Sequence, residues 1–175
     1  MAMVAKATMR AYMADMAKNT HYRVETFSAP ICIGYLVSRA YATNRAQLEA
    51  MFAREDINFT QWRVLMCLRE GTANTCADLS RELAHDKGSM TRLVDQLEGQ
   101  GLLKRHHDRT DRRVVVLSLT PAGRAAVTRL IPKIVDYYNV LLADFTPQEV
   151  KLLTQLLTKL KNVLRAENER EGTPT

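Results

Sequence analysis

The sequence predicts a mainly α chain built around a winged helix-turn-helix, with a wing sheet of two to three strands giving it a small α+β part. Three observations carry that expectation. A short helix opening after Thr75 and a second over Lys87–Gln100 are separated only by a tight break at His85-Asp86. Two strand-like runs, Leu102–His106 and Val114–Leu119, follow at once and flank an arginine-rich tip. Thr120-Pro121 and Thr146-Pro147 then open two long runs whose apolar residues fall three and four apart.

Taken in order, residues 1–29 form an extension, with a helix expected over Ala5–Ala17, where Val4, Met9, Met13 and Met16 roughly follow helical spacing. Ile31–Phe52 places Ile31, Tyr35, Tyr41, Leu48 and Phe52 on one side of a long helix. Asn58 and Thr60 offer caps for a helix over Gln61–Arg69, which Gly71 ends. Thr75-Cys-Ala-Asp78 starts the next helix in the manner of a capping box. Over Lys87–Gln100, Met90, Leu93, Val94 and Leu97 face inward, and Gly101 suits the left-handed stop. In the second strand Val115, Leu117 and Leu119 alternate with Val114, Val116 and Ser118. The helix from Pro121 runs to about Ala143, with a bend expected at Pro132, and the last helix covers Val150–Ala166.

The apolar stripes of these outer helices are broader than a small winged domain needs to cover itself, and a second copy of the chain is the economical cover. The domain map is therefore an extension (1–29), a helical dimerisation region (30–56 with 121–168), a winged helix-turn-helix (57–120) and a flexible tail (169–175).

Composition narrows the function. At 46% hydrophobic residues the chain can build a core, and a net charge of +6 is compatible with a polyanionic partner without requiring one. No apolar run approaches the roughly 18 residues of a membrane span, and the N-terminal stretch lacks the apolar centre of a secretion signal. Three cysteines without metal-like spacing fit a reducing cytoplasm. No nucleophile–base pair, Gly-rich phosphate loop or metal set stands out, and His106 and His107 are adjacent, hence on opposite faces of a strand. An enzyme is not expected, nor a cofactor or metal.

The helix pair and the wing together point to DNA. A recognition helix meets base edges with the outward residues of its N-terminal part; here these are Lys87, Ser89, Met90, Thr91 and Arg92, with Asp95 and Gln96 one turn on. Arginine pairs with guanine, glutamine with adenine, and Ser or Thr with phosphate or a base. In the wing, Lys104, Arg105, Arg109, Arg112 and Arg113 face only Asp108 and Asp111, a net +3 over ten residues. Such a tip suits the negative potential of a narrow minor groove, with Asp111 bracing Arg113. The plainer reading is a solvated helix face and a charged turn. A winged-helix module that binds only protein also stays open; it would bind insensitively to salt and lose nothing with Arg113.

Asp111-Arg112-Arg113-Val114-Val115-Val116-Leu117-Ser118-Leu119-Thr120-Pro121-Ala122-Gly123 resembles the wing pattern of the MarR family of bacterial regulators, Asp-x-Arg, a strand, then Leu-Thr-x-x-Gly. Leu93–Leu102 is similar to that family's recognition helix and exit, and Phe59–Leu65 to the opening of an earlier helix. The likeness covers about Pro30 to Arg165. It implies a homodimer on a pseudo-palindromic double-stranded operator, usually a repressor, with Arg113 as the minor-groove arginine and Asp111 as its brace.

The resemblance also implies release by a small aromatic carboxylate or phenol held between the dimerisation helices and the winged domain. Tyr35, Ser38, Arg39, Tyr41 and Arg45 on the first long helix, with Trp62 and Met66 on the next, are the candidate contacts, Arg39 for the carboxylate. The same aromatics equally suit core packing. A thiol-based redox switch is the alternative: Cys32 lies near the reactive position of peroxide-sensing relatives, although Gly34 occupies the matching place. Cys67 suits a small core residue and Cys76 a surface thiol.

Overall fold

The computed structural model describes residues 21–170, so the helix expected over Ala5–Ala17 and the final residues 171–175 lie outside the described residues. The chain divides into two compact units, one ending at Asn58 and one starting at Phe59.

In the first unit, 3-10 turns at Val24–Thr26 and Ala29–Ile31 precede helix α1, Ile33–Phe52. The α-helix begins later than the apolar pattern implied because Pro30 sits in the 3-10 turn and Cys32 is extended (φ −67°, ψ 132°). The Tyr22 hydroxyl accepts the Ile33 N–H at 2.8 Å, which satisfies one of the donors a helix start leaves unpaired. Leu48 and Phe52 are buried, whereas Ile33, Tyr35, Leu36, Val37 and Tyr41 are exposed in the single chain.

The second unit holds α2 (Phe59–Glu70), α3 (Cys76–Leu83), α4 (Lys87–Gly99), β1 (Leu103–His107), β2 (Val115–Leu119), α5 (Pro121–Leu141) and α6 (Pro147–Arg170). Each start has a local cause. The Thr75 Oγ1 accepts the Asp78 N–H at 3.1 Å and donates to the Asp78 carboxylate at 2.8 Å, which holds that carboxyl below its usual range. Asp86 caps α4 through the Ser89 N–H at 2.8 Å. Between these helices Ala84 takes a left-handed backbone (φ 51°), a conformation that costs a side chain about 1 kcal/mol. The break expected at His85-Asp86 thus begins one residue earlier, at a non-glycine residue.

β1 and β2 pair antiparallel from Leu103↔Leu119 to His107↔Val115. A third strand does not form among the described residues; the Asn74 carbonyl instead accepts the Leu117 N–H at 2.7 Å, one isolated bond. Strict alternation in β2 also fails, because Val116 and Leu117 are both buried and the strand is covered on its two faces there. The core of this unit is Val64, Leu65, Leu79, Met90, Val94, Leu97, Leu103, Val127 and Leu130, each worth roughly 1.5–3 kcal/mol when fully buried.

The wing is fastened to α5 at one junction. Gly101 ends the α4 turn with φ +70°, and the Thr120 Oγ1 donates to its carbonyl at 2.6 Å. The Thr120 N–H donates to the Leu102 carbonyl at 3.1 Å, while Thr120 Oγ1 accepts the Gly123 N–H at 3.0 Å as the helix cap. A Cβ on Gly123 would lie 1.9 Å from the Leu102 carbonyl oxygen, so only glycine allows this approach. Helix α5 continues through Pro132, which cannot donate to the preceding turn.

Helix α6 opens with a reciprocal capping box: Glu149 accepts from the Thr146 N–H at 2.8 Å, and Thr146 Oγ1 from the Glu149 N–H at 3.3 Å. The helix extends past Ala166 to Arg170. Leu152, Leu153, Leu156, Leu157, Val163 and Leu164 are all exposed, so these side chains of its apolar stripe are left largely uncovered among the described residues. No helix among the described residues is long and apolar enough to cross a membrane.

Candidate nucleic-acid interface

Three parts of the second unit position the cationic side chains: the N-terminal half of α4, strand β1 and the loop 108–114. Lys87, Thr91, Arg92 and Gln96 are exposed on α4, and Ser89 is half-buried. Arg92 Nη2 donates to Ser89 Oγ at 3.0 Å, which holds the guanidinium toward the helix start. Thr91 Oγ1 donates to the Lys87 carbonyl at 2.9 Å and keeps its lone pairs available as acceptors. The Asp86 carboxyl that caps this helix is held below its usual range, chiefly by the Ser89 hydrogen bonds.

Met90 is the correction. The sequence places it both inside and among the outward DNA contacts, but its exposure is 0%. It stands four and seven residues before Val94 and Leu97, on the inward face of α4, and cannot meet a base edge.

The wing tip is ordered by two carboxylates in series. Asp108 Oδ1 accepts from the Thr110 N–H at 2.8 Å, the Asp111 N–H at 3.1 Å and the Thr110 hydroxyl. The Thr110 hydroxyl first, then the two amides, hold the Asp108 carboxyl down to about 2. Asp111 Oδ1 in turn accepts the Arg113 N–H at 3.0 Å and Nε–H at 3.3 Å. The Arg113 side chain is 93% exposed, so this pair orients a projecting cation rather than stabilising the fold. Backbone bonds from Asp108 to Val114 and from Val114 to Asp111, both 2.9 Å, close the loop. Lys104, Arg109 and Arg112 are exposed beside it.

Arg105, expected to face phosphate, is engaged within the chain. Its Nη2 donates to Asp95 Oδ1 at 2.6 Å, its Nη1 donates to the Glu98 carboxylate, and its backbone N–H donates to Glu98 Oε1 at 3.0 Å. Partial burial works against the charge, but the hydrogen bonds and charges of Asp95 and Glu98 outweigh it and raise the guanidinium pKa. Glu98 was not singled out from sequence. Its part depends on which face of α4 lies over β1, which spacing along either element does not reveal.

Of the candidate effector contacts, Tyr35, Ser38, Arg39, Tyr41 and Arg45 are exposed on α1 in the first unit. Arg45 is committed to Glu49 at 2.7 Å, and hydrogen bonding to Glu49 raises its pKa. Arg39 makes no ion pair among the described residues. In the second unit, Trp62 is 9% exposed and its ring stacks on Phe59 at 6.2 Å, while Met66 is half-buried. The three cysteines are free and half-buried, and burial pushes the Cys67 thiol upward, against thiolate formation. Among the described residues, no group of three or more His, Cys, Asp or Glu side chains could hold a metal ion.

The sequence profile of the MarR family matches residues 57–115, from just before α2 to the first residue of β2. The homoprotocatechuate degradative operon repressor of Escherichia coli is 30% identical over 104 residues, 59% of this chain and 70% of the repressor. Among solved structures, Bordetella bronchiseptica BpsR, described by the regulation of its DNA binding by 6-hydroxynicotinic acid, is 27% identical with a TM-score of 0.67. That match covers 77% of this chain and 96% of BpsR. A cysteine-to-serine variant of MarR from E. coli, complexed with operator DNA, is 28% identical with a TM-score of 0.64, covering 74% of this chain and 94% of MarR.

Proposed function

Because the chain belongs to the MarR family of DNA-binding transcriptional regulators, we propose that it is a homodimeric repressor of a pseudo-palindromic operator, released by a small aromatic carboxylate or phenol. The observation that carries the DNA reading is the braced, fully projecting Arg113 on the same unit as the cationic start of α4. Lys87, Ser89, Thr91, Arg92 and Gln96 serve the major groove, with Arg92 the guanine reader and Gln96 the adenine reader. Arg113 enters the adjoining minor groove, and Lys104, Arg109 and Arg112 meet phosphates.

The exposed apolar stripes of α1 and α6 support the dimer, since a soluble monomer rarely leaves so many Leu, Val and Tyr side chains in water. Residues 30–56 and 121–168 form that dimerisation region, and 57–120 the reading head. Two α4 helices must then sit about 34 Å apart to meet successive major grooves. An effector that favours another spacing lowers operator affinity, and a coupling of roughly 1–3 kcal/mol changes it 5- to 150-fold.

Arg39 is the carboxylate partner in this scheme. It is exposed and makes no ion pair among the described residues, whereas Arg45 is held by Glu49. BpsR supplies the precedent for an aromatic acid acting on a similar chain. The site of action is the cytoplasm.

The test is a gel-shift titration with the chain's own upstream promoter fragment, with and without a panel of aromatic acids. Specific retardation with a two-chain stoichiometry, reversed by one acid class, is expected. Absence of any preference for the promoter over random DNA overturns the reading. Arg39→Ala should blunt the acid response and leave ligand-free affinity nearly unchanged; equal loss of both removes Arg39 from the effector site.

A further inference from the structure

We infer that Arg105 is a positioning residue that sets the wing against the recognition helix, and that the acids Asp95 and Glu98 therefore promote DNA binding despite their charge. The inference rests on the DNA-binding reading above and concerns how its two arms are held together.

Three hydrogen-bonded links cross from β1 to α4 at this one point. The guanidinium reaches Asp95 at 2.6 Å and the Glu98 carboxylate, and Glu98 also receives the Arg105 backbone N–H at 3.0 Å. Asp95 and Glu98 stand three apart, on one side of α4, so a single planar guanidinium engages both. With both carboxylates in place, the charge of Arg105 is offset within the chain and its guanidinium is held against α4 rather than free to follow a phosphate. Its neighbour Lys104 is exposed and remains suited to that task.

The location gives the bridge its consequence. Arg105 pairs with Leu117 in the sheet, two pairs in from the His107↔Val115 end that leads into the tip loop. The tip is internally ordered by Asp108 and Asp111, so it moves as a piece. Its direction relative to α4 is then set where β1 is pinned to that helix. A two-stranded ribbon on its own is only marginally ordered, so a side-chain bridge at its central pair limits how far the tip wanders before it meets a groove. Preorganisation of this kind removes an ordering cost from binding.

Two descriptions of Arg105 predict opposite signs for the acids. If Arg105 met phosphate and Asp95 and Glu98 merely lay nearby, neutralising either acid would reduce repulsion from DNA and tighten binding. If the bridge positions the wing, Glu98→Gln and Asp95→Asn weaken it. Glu98→Gln should cost about fivefold in operator affinity and Asp95→Asn about twofold, because Glu98 makes two of the three links.

The experiment is operator titration of the full chain by fluorescence anisotropy at one fixed salt concentration. It uses Glu98→Gln, Asp95→Asn and Arg105→Gln, each alone and combined with Arg113→Ala. Weaker binding by both acid variants, with the loss from Glu98→Gln largely absent once Arg113 is already removed, is the expected result. A purely structural role would lower the melting temperature yet leave the penalty unchanged in the Arg113→Ala background, and that outcome overturns the proposal. Tighter binding by the acid variants overturns it as well. If Arg105→Gln fails to fold, the acid variants, each of which leaves part of the bridge intact, carry the comparison. Failure of the unaltered chain to prefer its operator is a distinct result, for it removes the DNA-binding reading and this inference with it.

Discussion

Replacing Gly123 by alanine sets two well-defined effects against each other. Helix propensity favours the change: Gly123 lies in the first turn of α5, and alanine gains up to about 1 kcal/mol over glycine in a helix. Sterics oppose it. The added Cβ would stand 1.9 Å from the Leu102 carbonyl oxygen and 2.9 Å from its carbon, with Leu119 Cδ2 at 3.3 Å. A backbone carbonyl cannot swing aside as a flexible side chain can. To restore ordinary contact, α5 and the α4–β1 turn must separate by more than an ångström, which breaks the Thr120 bonds to Gly101 and Leu102. Two hydrogen bonds at about 1 kcal/mol each and 1–3 kcal/mol of overpacking outweigh the propensity gain, for a net loss of about 2–4 kcal/mol. For a chain of this size that lowers the melting temperature by roughly 5–15 °C. Thermal unfolding followed by circular dichroism, without DNA, measures it. Gly99→Ala is the control, because nothing lies within 4 Å of its added Cβ, and it should be neutral or slightly stabilising. A Gly123→Ala protein that melts at or above the unaltered chain would refute the close-approach argument.

Three further outcomes follow from particular contacts. Ala84→Gly should raise the melting temperature by a degree or two, since the left-handed φ of 51° disfavours any Cβ and glycine relieves it at an entropic cost of similar size or smaller; a lower melting temperature would contradict this. The Asp108 carboxyl, followed by carbon-detected NMR, should titrate near about 2. Because this folded-state value lies below the unfolded one, its contribution to wing order is present above about pH 4 and is lost as pH falls toward 2. An ordinary carboxylate midpoint would show that the tip turn does not hold in solution. Finally, Arg113→Ala should weaken operator binding by roughly 5- to 100-fold and Asp111→Asn by a smaller factor, measured by anisotropy, with equal losses on random DNA counting against a groove-reading role.

The helix starts at Thr75, Thr120 and Thr146 were legible in the sequence, because caps are written in adjacent residues and obey local hydrogen-bond geometry. So was the ribbon with its charged tip, including the Asp111–Arg113 contact, which spans only two residues. The apolar faces of α1 and α6 could be counted directly from residues three and four apart. Other features needed long-range placement. Spacing alone allows Met90 on either face of α4, and only packing puts it in the core with Val94 and Leu97. Arg105 looked like one more wing cation until α4 brought two carboxylates to it from seven and ten residues away. The glycine of the Leu-Thr-x-x-Gly pattern could be recognised as a motif, yet its reason, a carbonyl 21 residues earlier, belongs to the tertiary fold. Local chemistry thus determined where elements begin and which charges they carry. Which face meets which neighbour was decided only by packing, because burial depends on contacts between segments that the linear order leaves open.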